Sequence, residues 1–214
     1  LDYELAENPE YRDLYVWDDP ELKQPCSRYF KIPANSDDLL NRRRMIEEST
    51  RLADAVVLLI KEIGSDAMFA LDLITNKIDS DCGTEYRSRL KAFLKQCKVN
   101  DLSLAVAQTD VKGNRSLLPS DQEHADYYVR IIEERTDGIV VRGAKAHTTC
   151  APYVDRIIVL PTRAFGENDG AYAVSFAVPV NAPGIKLIAS PFGSPPVSNF
   201  HYPISSRHRM IDTL

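Results

Sequence analysis

The sequence lacks the features that would indicate a membrane protein or a nucleic-acid-binding protein. No stretch approaches the roughly eighteen consecutive apolar residues of a membrane-spanning helix. The first residues, LDYELAENPEYRD, have neither the basic nor the apolar region of a secretion signal. A formal net charge of -5 at pH 7 gives no broad positive field for nucleic acid or anionic lipid. We therefore expect a soluble, cytoplasmic chain with small-molecule or protein partners, no nucleic acid and no membrane.

Cysteine is scarce and is not arranged as a metal or redox motif. The chain has 4 cysteines, and no two of them show the C-x-x-C spacing of zinc sites or thioredoxin-like sites. Without a secretion signal, we expect a reducing compartment and unpaired thiols, with two disulfides as the alternative. The four are Cys26, Cys82, Cys97 and Cys150, of which Cys97 falls on the apolar side of a helical pattern and is predicted to be buried.

Common nucleotide-binding and hydrolase motifs are also missing. No G-x-G-x-x-G follows a predicted strand, and neither the P-loop pattern nor the G-x-S-x-G elbow occurs. The 4 histidines are scattered, so the sequence cannot bring one of them together with a serine and an acid. A Rossmann domain, a P-loop domain and a serine hydrolase are therefore unsupported.

The first hundred residues predict an arm followed by a helical domain. Residues 1–35 are polar and rich in proline, which predicts an extended arm. Ser36 followed by Asp37 and Asp38 predicts the start of a helix, and Gly64 is a plausible stop. The apolar face predicted for this helix consists of Leu39, Leu40, Ile46, Ala53, Val56, Val57 and Ile60.

Two further helices complete a predicted helical domain over residues 36–100. Ser65 can start a shorter helix through AMFALDLIT, and Thr84 can cap a third helix. The predicted buried face of that third helix consists of Tyr86, Leu90, Phe93, Leu94 and Cys97. The run of three arginines from Arg42 to Arg44 is interpreted as a solvated face paired with Glu47 and Glu48. A phosphate clamp is the alternative.

After Asn100 the pattern changes to short runs rich in β-branched residues. These runs are DLSLAVAQT, YYVRIIEE, GIVVRG, DRIIVLP, AYAVSFAVPV and GIKLIA. A Thr136-Asp137-Gly138 turn between the second and third runs predicts a hairpin. Residues 101–214 are therefore predicted to form an antiparallel β-sandwich or barrel, giving an α+β fold overall. The final MIDTL begins another apolar run, which favours a fragment or a subunit completed by another chain.

Two loops in the predicted β-domain carry concentrated polar chemistry. The first is TDVKGNRS, residues 109–116, whose hydroxyls, amide, two cations and glycine would suit a ligand with carbonyl and phosphate oxygens. An ordinary turn is an equally good interpretation. The second lies in VVRGAKAHTTC, where His147, Thr148 and Thr149 follow a strand. A satisfied surface or core histidine is the simpler interpretation of His147, but two such loops in one domain favour a shared pocket.

Longer segments around these loops resemble a known family. TDVKGNRS, the segment LPSDQEHADYYVRIIEERTDGIVVRGAKAHTT and the later DGAYAVSFAVP resemble the 4-hydroxybutyryl-CoA dehydratase branch of the 4-hydroxyphenylacetate 3-hydroxylase family. The resemblance extends back through DAMFAL and GTEYRSRL to NSDDLLNRRR. It implies an acyl-CoA-dehydrogenase-like fold, with a helical domain and a β-domain that binds FAD. The C-terminal helical bundle of that fold is missing from this sequence.

The resemblance also implies roles for individual residues. Thr149 matches the threonine that hydrogen-bonds near flavin N5, and it is the expected catalytic residue. Val111 and Asn114 replace the usual proline and aspartate of the first loop, and Cys150 replaces the usual glycine after the threonine. The expected cofactor-binding residues are Thr109, Lys112, Arg115, Ser116, His147, Thr148 and Thr149.

Dehydratases of this family carry a [4Fe-4S] cluster, but the matching cysteines are not found here. Extending the match backward from Gly64 puts the two cysteine positions at Leu58 and Glu62, and neither residue is a thiolate. Cys82 and Cys97 do not replace them on spacing grounds. We therefore predict FAD, no iron-sulfur cluster and no other metal.

Three functions are compatible with these residues. The leading hypothesis is an FAD enzyme that performs flavin-only redox or proton-transfer chemistry on an acyl-CoA-like or small hydroxylated substrate. The alternative is a reduced-flavin monooxygenase acting on a phenol. Its relatives carry an arginine and a tyrosine near residues 61–66, where this chain has KEIGSD, and Lys61 alone could replace the charge. The third is a non-catalytic subunit. The resemblance further implies a homo-oligomer, or a second chain that supplies the bundle.

Overall fold

A computed structural model describes residues 2–54, 61–191 and 211–213 of the chain. The chain consists of two compact units, Leu1–Leu104 and Ala105–Leu214. Helices dominate the first unit and short strands the second, so the predicted α+β class is confirmed. Among the described residues, no helix is both long and apolar enough to cross a membrane. Val56, Val57 and Ile60 of the predicted helix face lie outside the described residues.

The first unit is folded from its beginning. Its elements are α1 (Asp2–Glu7), α2 (Arg12–Tyr15), β1 (Val16–Asp19), β2 (Gln24–Ser27), α3 (Ser36–Leu52), α4 (Glu62–Cys82) and α5 (Tyr86–Asn100). Strands β1 and β2 pair as an antiparallel hairpin. Leu5, Tyr15 and Tyr29 form a buried cluster with Met45 of α3, which corrects the extended arm predicted for residues 1–35. The elements α1, α2, β1 and β2 are only four to six residues long, which is too short to show a helical or strand period in the sequence.

Helix α3 begins one residue after its capping side chain. Asn35, not Ser36, is the cap, because its side-chain oxygen accepts a hydrogen bond from the backbone N–H of Asp38 at 2.9 Å. Met45 is fully buried, but Leu39 and Leu40 at the start of the predicted apolar face are 57% and 48% exposed. The buried face of α3 is therefore narrower than the sequence pattern predicts.

The arginine run on α3 is split between burial and solvent. Arg43 pairs with Glu47 at 2.7 Å, as predicted for a solvated face. Arg42 instead is buried, and its guanidinium donates to Ser65 Oγ at 2.9 Å and to two backbone carbonyls. It also lies 2.7 Å from the carboxylate of Asp66. Arg42 is therefore a buried link between α3 and α4, and neither the solvated face nor the phosphate clamp describes it.

Helix α4 runs through the position where the sequence predicted a stop. Gly64 and Ser65 lie in its first turn, so Gly64 does not end one helix and Ser65 does not start another. A Cβ added at Gly64 would lie 2.1 Å from the Cβ of Leu104, so this glycine permits a close approach to that residue. The helix ends at Gly83, whose φ of 66° is the left-handed conformation that favours glycine.

Helix α5 is capped by a residue of the preceding helix. The carboxylate of Asp79 accepts the backbone N–H groups of Tyr86 and Arg87, each at 2.8 Å. Thr84, predicted as the cap, donates its hydroxyl to Asp79 at 2.6 Å. Cys97 is fully buried, as its position in the pattern predicted. Asp79 therefore fixes the turn between α4 and α5.

A buried ion pair holds the β1–β2 hairpin against α5. Asp19 is 1% exposed, and its carboxylate accepts from the Lys98 ammonium at 2.7 Å and from the N–H groups of Glu21 and Leu22. Burial opposes ionisation of Asp19, but the bond from Lys98 and the two N–H groups outweigh it, so the pKa of Asp19 is lowered. The Lys98 ammonium also lies 5.4 Å from the centroid of the Trp17 ring.

The second unit contains short strands joined by long loops. They are β3 (Leu104–Ala107), which begins at the last residue of the first unit, β4 (Arg130–Arg135), β5 (Gly138–Arg142), β6 (Arg156–Val159), β7 (Phe176–Pro179), β8 (Ala189–Pro191) and β9 (Ile211–Thr213). Strands β3, β6 and β7 form one sheet in that order, while β4–β5 and β8–β9 form separate pairs. Arg135 pairs with Gly138, so the predicted hairpin is confirmed. A sandwich or barrel stays a prediction, because the described strands form only these small sheets.

Replacing Gly64 with alanine should destabilise the protein. The new Cβ would force α4 away from Leu104, and overpacking of this kind costs about 1–3 kcal/mol. The better helix propensity of alanine, about 1 kcal/mol, offsets only part of this cost. Urea unfolding measures the difference, with Gly138→Ala as the control because a Cβ there meets nothing within 4 Å. A Gly64→Ala protein as stable as wild type would contradict the close approach.

Acid stability should depend on Asp19. Because its folded-state pKa is lowered, its ionised form stabilises the fold above the unfolded-state pKa of about 3.9. This stabilisation is lost as the pH falls through the lower folded-state pKa. We expect Asp19→Asn to show a shallower fall in Tm with acidification than wild type. Asp18→Asn, on the exposed neighbour in the same strand, is the control and should keep the wild-type slope.

Candidate functional site

The two polar loops of the second unit lie side by side. We call residues 109–116 the first loop and residues 143–150 the second loop. The carbonyl of Thr109 accepts a hydrogen bond from the N–H of Ala146 at 2.8 Å. Asp110 and Lys145 form an isolated antiparallel bridge. The two segments are therefore neighbours in the fold, as a shared pocket requires.

A buried ion pair joins the two loops. The Lys145 ammonium lies 2.6 Å from the Asp110 carboxylate and donates to the carbonyls of Leu160 at 2.8 Å and Gln108 at 3.0 Å. The hydroxyl of Thr162 bonds the same carboxylate and accepts the N–H of Asp110 at 3.1 Å. Burial lowers the pKa of Lys145, and the bond to Asp110 opposes this in part. Motif analysis of the sequence did not identify this pair, although both residues fall within the two loops.

The first loop folds back on a neighbouring segment. Lys112 and Gly113 both have positive φ, 77° and 54°. A Cβ at Gly113 would lie 2.5 Å from the side-chain oxygen of Gln122 and 2.6 Å from the ring of Tyr127. Gln122 also accepts the N–H of Asn114 at 3.0 Å. Gly113 therefore permits packing within the protein, rather than the close approach to a ligand that its place in the sequence suggested.

The seven predicted cofactor-binding residues differ in their access to solvent. Thr109, Lys112 and Thr149 are half-buried, Arg115, Ser116 and His147 are exposed, and Thr148 is buried. Lys112, Arg115 and Thr149 are thus at least partly open to solvent, whereas protein encloses Thr148, which is 4% exposed. The contacts described above hold only the start of the first loop against the second loop. Further along the first loop, the backbone N–H and carbonyl of Asn114 bond to the side chain of Gln122.

The second loop contains two residues in the left-handed conformation. His147 has a φ of 57° and Cys150 a φ of 64°, on either side of Thr148 and Thr149. This conformation costs a residue with a Cβ about 1–2 kcal/mol, and glycine, which the resemblance implies at position 150, adopts it without that cost. Burial raises the pKa of the Cys150 thiol, so the thiol stays protonated near neutral pH.

A buried aspartate fixes the chain that follows the first loop. Asp169 is fully buried, and its carboxylate accepts the N–H groups of Ser120 and Gly166, each at 2.8 Å. Burial opposes its ionisation, but the N–H of Gly166 and the bonds from Ser120 outweigh this effect and lower the pKa of Asp169. Sequence reasoning missed this role, although Asp169 opens the segment DGAYAVSFAVP.

The positions that match the cluster cysteines can be described only in part. Leu58 lies outside the described residues, and Glu62 is buried in the first turn of α4. Cys82 is exposed and Cys97 is buried, and none of the four cysteines forms a disulfide. Over residues 2–54, 61–191 and 211–213, no group of three His, Cys, Asp or Glu side chains could hold a metal ion. The predicted lack of a cluster stays a prediction.

Comparison with known proteins gives relatives over the whole chain. Residues 1–214 match the family described as 4-hydroxyphenylacetate 3-hydroxylase N terminal. The chain is 38% identical over 189 residues to the 4-hydroxybutyryl-CoA dehydratase/vinylacetyl-CoA-Δ-isomerase of Clostridium aminobutyricum. This match covers 88% of the chain but 38% of that enzyme, so the chain spans well under half of its relative.

Solved structures show the same relationship. The archaeal 4-hydroxybutyryl-CoA dehydratase from N. maritimus superposes with a TM-score of 0.81 at 31% identity, over 88% of this chain and 37% of that one. A crystal structure of the oxygenase component of 4-hydroxyphenylacetate 3-monooxygenase complexed with FAD superposes with a TM-score of 0.74 over 99% of this chain and 43% of that one. At 23% identity, this second likeness shows the fold alone.

Replacing Cys150 with glycine should stabilise the protein. Glycine adopts the left-handed conformation of this position without the penalty of about 1–2 kcal/mol. Because glycine loses more backbone entropy on folding, about 0.5–1 kcal/mol of this stabilisation is offset. We therefore expect a rise in unfolding free energy of about 0.5–1 kcal/mol, measured by urea denaturation. Cys150→Ala removes the same thiol but keeps the Cβ, so it should show no gain. Equal stability of the two variants would contradict the strain at Cys150.

Proposed function

The chain belongs to the 4-hydroxyphenylacetate 3-hydroxylase family, and we propose that it is the flavin-binding part of an FAD-dependent enzyme related to 4-hydroxybutyryl-CoA dehydratase. The proposed chemistry is flavin-only redox or proton transfer on an acyl-CoA-like or small hydroxylated substrate. The proposed architecture is acyl-CoA-dehydrogenase-like, with the strands of the second unit belonging to a sandwich or barrel. A cytoplasmic location is part of the same proposal.

The observation that carries this proposal is the adjacency of the two loops. The start of the first loop is held to the second loop by the 2.8 Å hydrogen bond between Thr109 and Ala146 and by the ion pair between Asp110 and Lys145. A flavin ring with a phosphate-bearing tail needs donors for ring oxygens and nitrogens close to cations for phosphate. Two adjacent polar loops with accessible hydroxyls and cations provide that combination.

The donor chemistry of these loops fits FAD. We propose that Thr149 donates its half-buried hydroxyl near flavin N5, and that Thr109 and Ser116 donate to ring or ribose oxygens. Lys112 and Arg115 are proposed to bind phosphate oxygens. Bound FAD would supply the capacity to accept or donate electrons, while these side chains bind and orient it. His147 and Thr148 complete the proposed set, although Thr148 is enclosed by protein.

The dehydratase-like chemistry is favoured over the phenol monooxygenase. Lys61, the one cation that could replace the phenolate-binding arginine, lies 2.6 Å from the carboxylate of Asp101. A cation paired in this way offers less charge to a phenolate than an unpaired one. The chain is also more similar in sequence to the dehydratase of Clostridium aminobutyricum, at 38% identity, than to the oxygenase of the superposed structure, at 23%. The monooxygenase stays the second candidate, since the superposition on such an oxygenase complexed with FAD extends over 99% of this chain.

Several parts of the proposal concern the whole enzyme. Because the chain spans well under half of its relatives, we propose that substrate contacts come partly from a helical bundle in a longer polypeptide or a second chain. A homo-oligomer is proposed on the same basis, and a non-catalytic subunit is the third candidate. The lack of an iron-sulfur cluster remains a proposal that rests on Leu58 and Glu62.

The proposal predicts that the purified chain binds FAD. Titration followed by flavin absorbance and fluorescence should give saturable binding. Failure of the folded wild-type chain to bind FAD would overturn the proposal, and iron above background in the purified protein would overturn the predicted lack of a cluster. The control is Asp137→Asn in the exposed turn of the β4–β5 hairpin, which lies outside the proposed site and should bind FAD as wild type does.

Thr149 tests the site within that titration. Thr149→Val keeps the shape of the side chain and removes the hydroxyl, so we expect the Kd for FAD to rise about 5- to 10-fold, the loss of one hydrogen bond. The reduction potential of bound FAD should also shift. Thr149→Ser keeps the hydroxyl and should stay close to wild type. Unchanged flavin affinity and potential in Thr149→Val would contradict the assignment of Thr149.

A further inference from the structure

We propose that Lys145, paired with the Asp110 carboxylate that Thr162 also bonds, is a positioning residue that fixes the backbone of the second loop and so presents Thr149 to the flavin. The inference rests on the proposed function for its cofactor, but its structural part concerns this chain alone. It adds to the proposed site three residues that do not touch the flavin themselves. Their role is to determine where the loop that touches it lies.

The Lys145 ammonium is bonded in three directions. Its acceptors are the Asp110 carboxylate at 2.6 Å, the Leu160 carbonyl at 2.8 Å and the Gln108 carbonyl at 3.0 Å. The two carbonyls accept hydrogen bonds from the ammonium, and its contact with the carboxylate is an ion pair. Gln108 and Asp110 flank the start of the first loop, and Leu160 directly follows β6. One side chain of the second loop therefore joins three segments of the second unit.

The Asp110 carboxylate completes this network. Its side chain is 3% exposed, and Thr162 bonds its second oxygen while accepting the N–H of Asp110 at 3.1 Å. A buried ion pair contributes little net stability, because desolvation offsets most of the attraction. A buried polar network of this kind nevertheless favours one arrangement of the backbone over others. Asp110, Lys145 and Thr162 therefore specify geometry more than they add stability.

The backbone directly after Lys145 needs such an anchor. His147 and Cys150 both have left-handed φ, and non-glycine residues keep that conformation only where their surroundings enforce it. The upstream anchors are the ion pair of Lys145 and the N–H of Ala146 on the first loop. The downstream anchor is the short turn after Cys150, where the N–H of Tyr153 donates to the Cys150 carbonyl at 2.9 Å. Thr149 lies between the two anchors.

The same geometry separates Lys145 from a catalytic role. Only 10% of its side chain is exposed, and its ammonium is held by two backbone carbonyls and a carboxylate of the protein. A general base must reach the proton that it removes, and a cation that binds substrate must offer it a donor. Lys145 as observed does neither. Its effect on the flavin therefore passes through the backbone that it holds.

Hydrogen exchange and FAD binding test the proposal on the purified chain. In Lys145→Met we expect amide exchange at residues 147–149 to rise at least tenfold, because the second loop loses its upstream anchor. The Kd for FAD should rise about tenfold for the same reason. Ile158→Ala is the matched control, since Ile158 is buried in β6 and its truncation also destabilises the fold without changing a residue of either loop. This control should leave both local readouts near wild type.

A double variant separates positioning from the cost of a buried unpaired charge. Asp110→Asn combined with Lys145→Met removes both charges, so it should recover stability relative to Lys145→Met alone. It does not restore the contacts of the Lys145 ammonium with Asp110, Gln108 and Leu160. We therefore expect fast exchange at residues 147–149 and weak FAD binding to persist. Recovery of both local readouts in the double variant would overturn the positioning role. Normal exchange in Lys145→Met would do the same.

The exchange measurement needs no flavin. If the wild-type chain fails to bind FAD, the proposed function is overturned, while the exchange at residues 147–149 still decides whether Lys145 orders the second loop. If FAD binds and Lys145→Met changes neither exchange nor affinity, the proposed function stands and the positioning role is overturned. The two failures are therefore distinguishable.

Discussion

The buried ion pair between Asp110 and Lys145 is the interaction on which the candidate site depends. The two polar loops follow different strands, and the Lys145 ammonium with its three acceptors holds them side by side, together with the hydrogen bond between Thr109 and Ala146. Thr149 then lies between two fixed points of the backbone. The low polarity of the surroundings makes the pair costly to leave incomplete, and this cost keeps the arrangement unique.

Buried charge has the same function elsewhere in the chain. Asp19 and Lys98 join a hairpin to a helix, Arg42 joins two helices, and Asp169 fixes a loop through backbone N–H groups. In each case a charged side chain is paired or hydrogen-bonded within the protein. These contacts explain why segments that look irregular in the sequence, such as the proline-rich beginning of the chain, are nevertheless folded.

Glycine and cysteine show how far a single position can be interpreted from the sequence. Gly64 looked like a helix stop, but it allows a close approach to Leu104, and the stop is Gly83. Gly113 looked suited to a ligand, but it packs against Tyr127. Cys150, which the resemblance marked as a replacement for glycine, has the left-handed backbone that glycine adopts without strain. Each role depends on φ or on a distant neighbour, and neither is encoded in local composition.

The sequence by itself determined the α+β class, the change from helices to strands near residue 100, the β4–β5 hairpin, the burial of Cys97 and the family. These follow from periodicity, turn chemistry and long ungapped similarity, all of which are local or cumulative along the chain. Only the tertiary structure decided where α4 begins, that Arg42 is buried, and that Asp110 meets Lys145. Such contacts join residues far apart in the sequence, as with Asp19 and Lys98, whose numbers differ by 79. No window of sequence contains both partners, so packing alone brings them together.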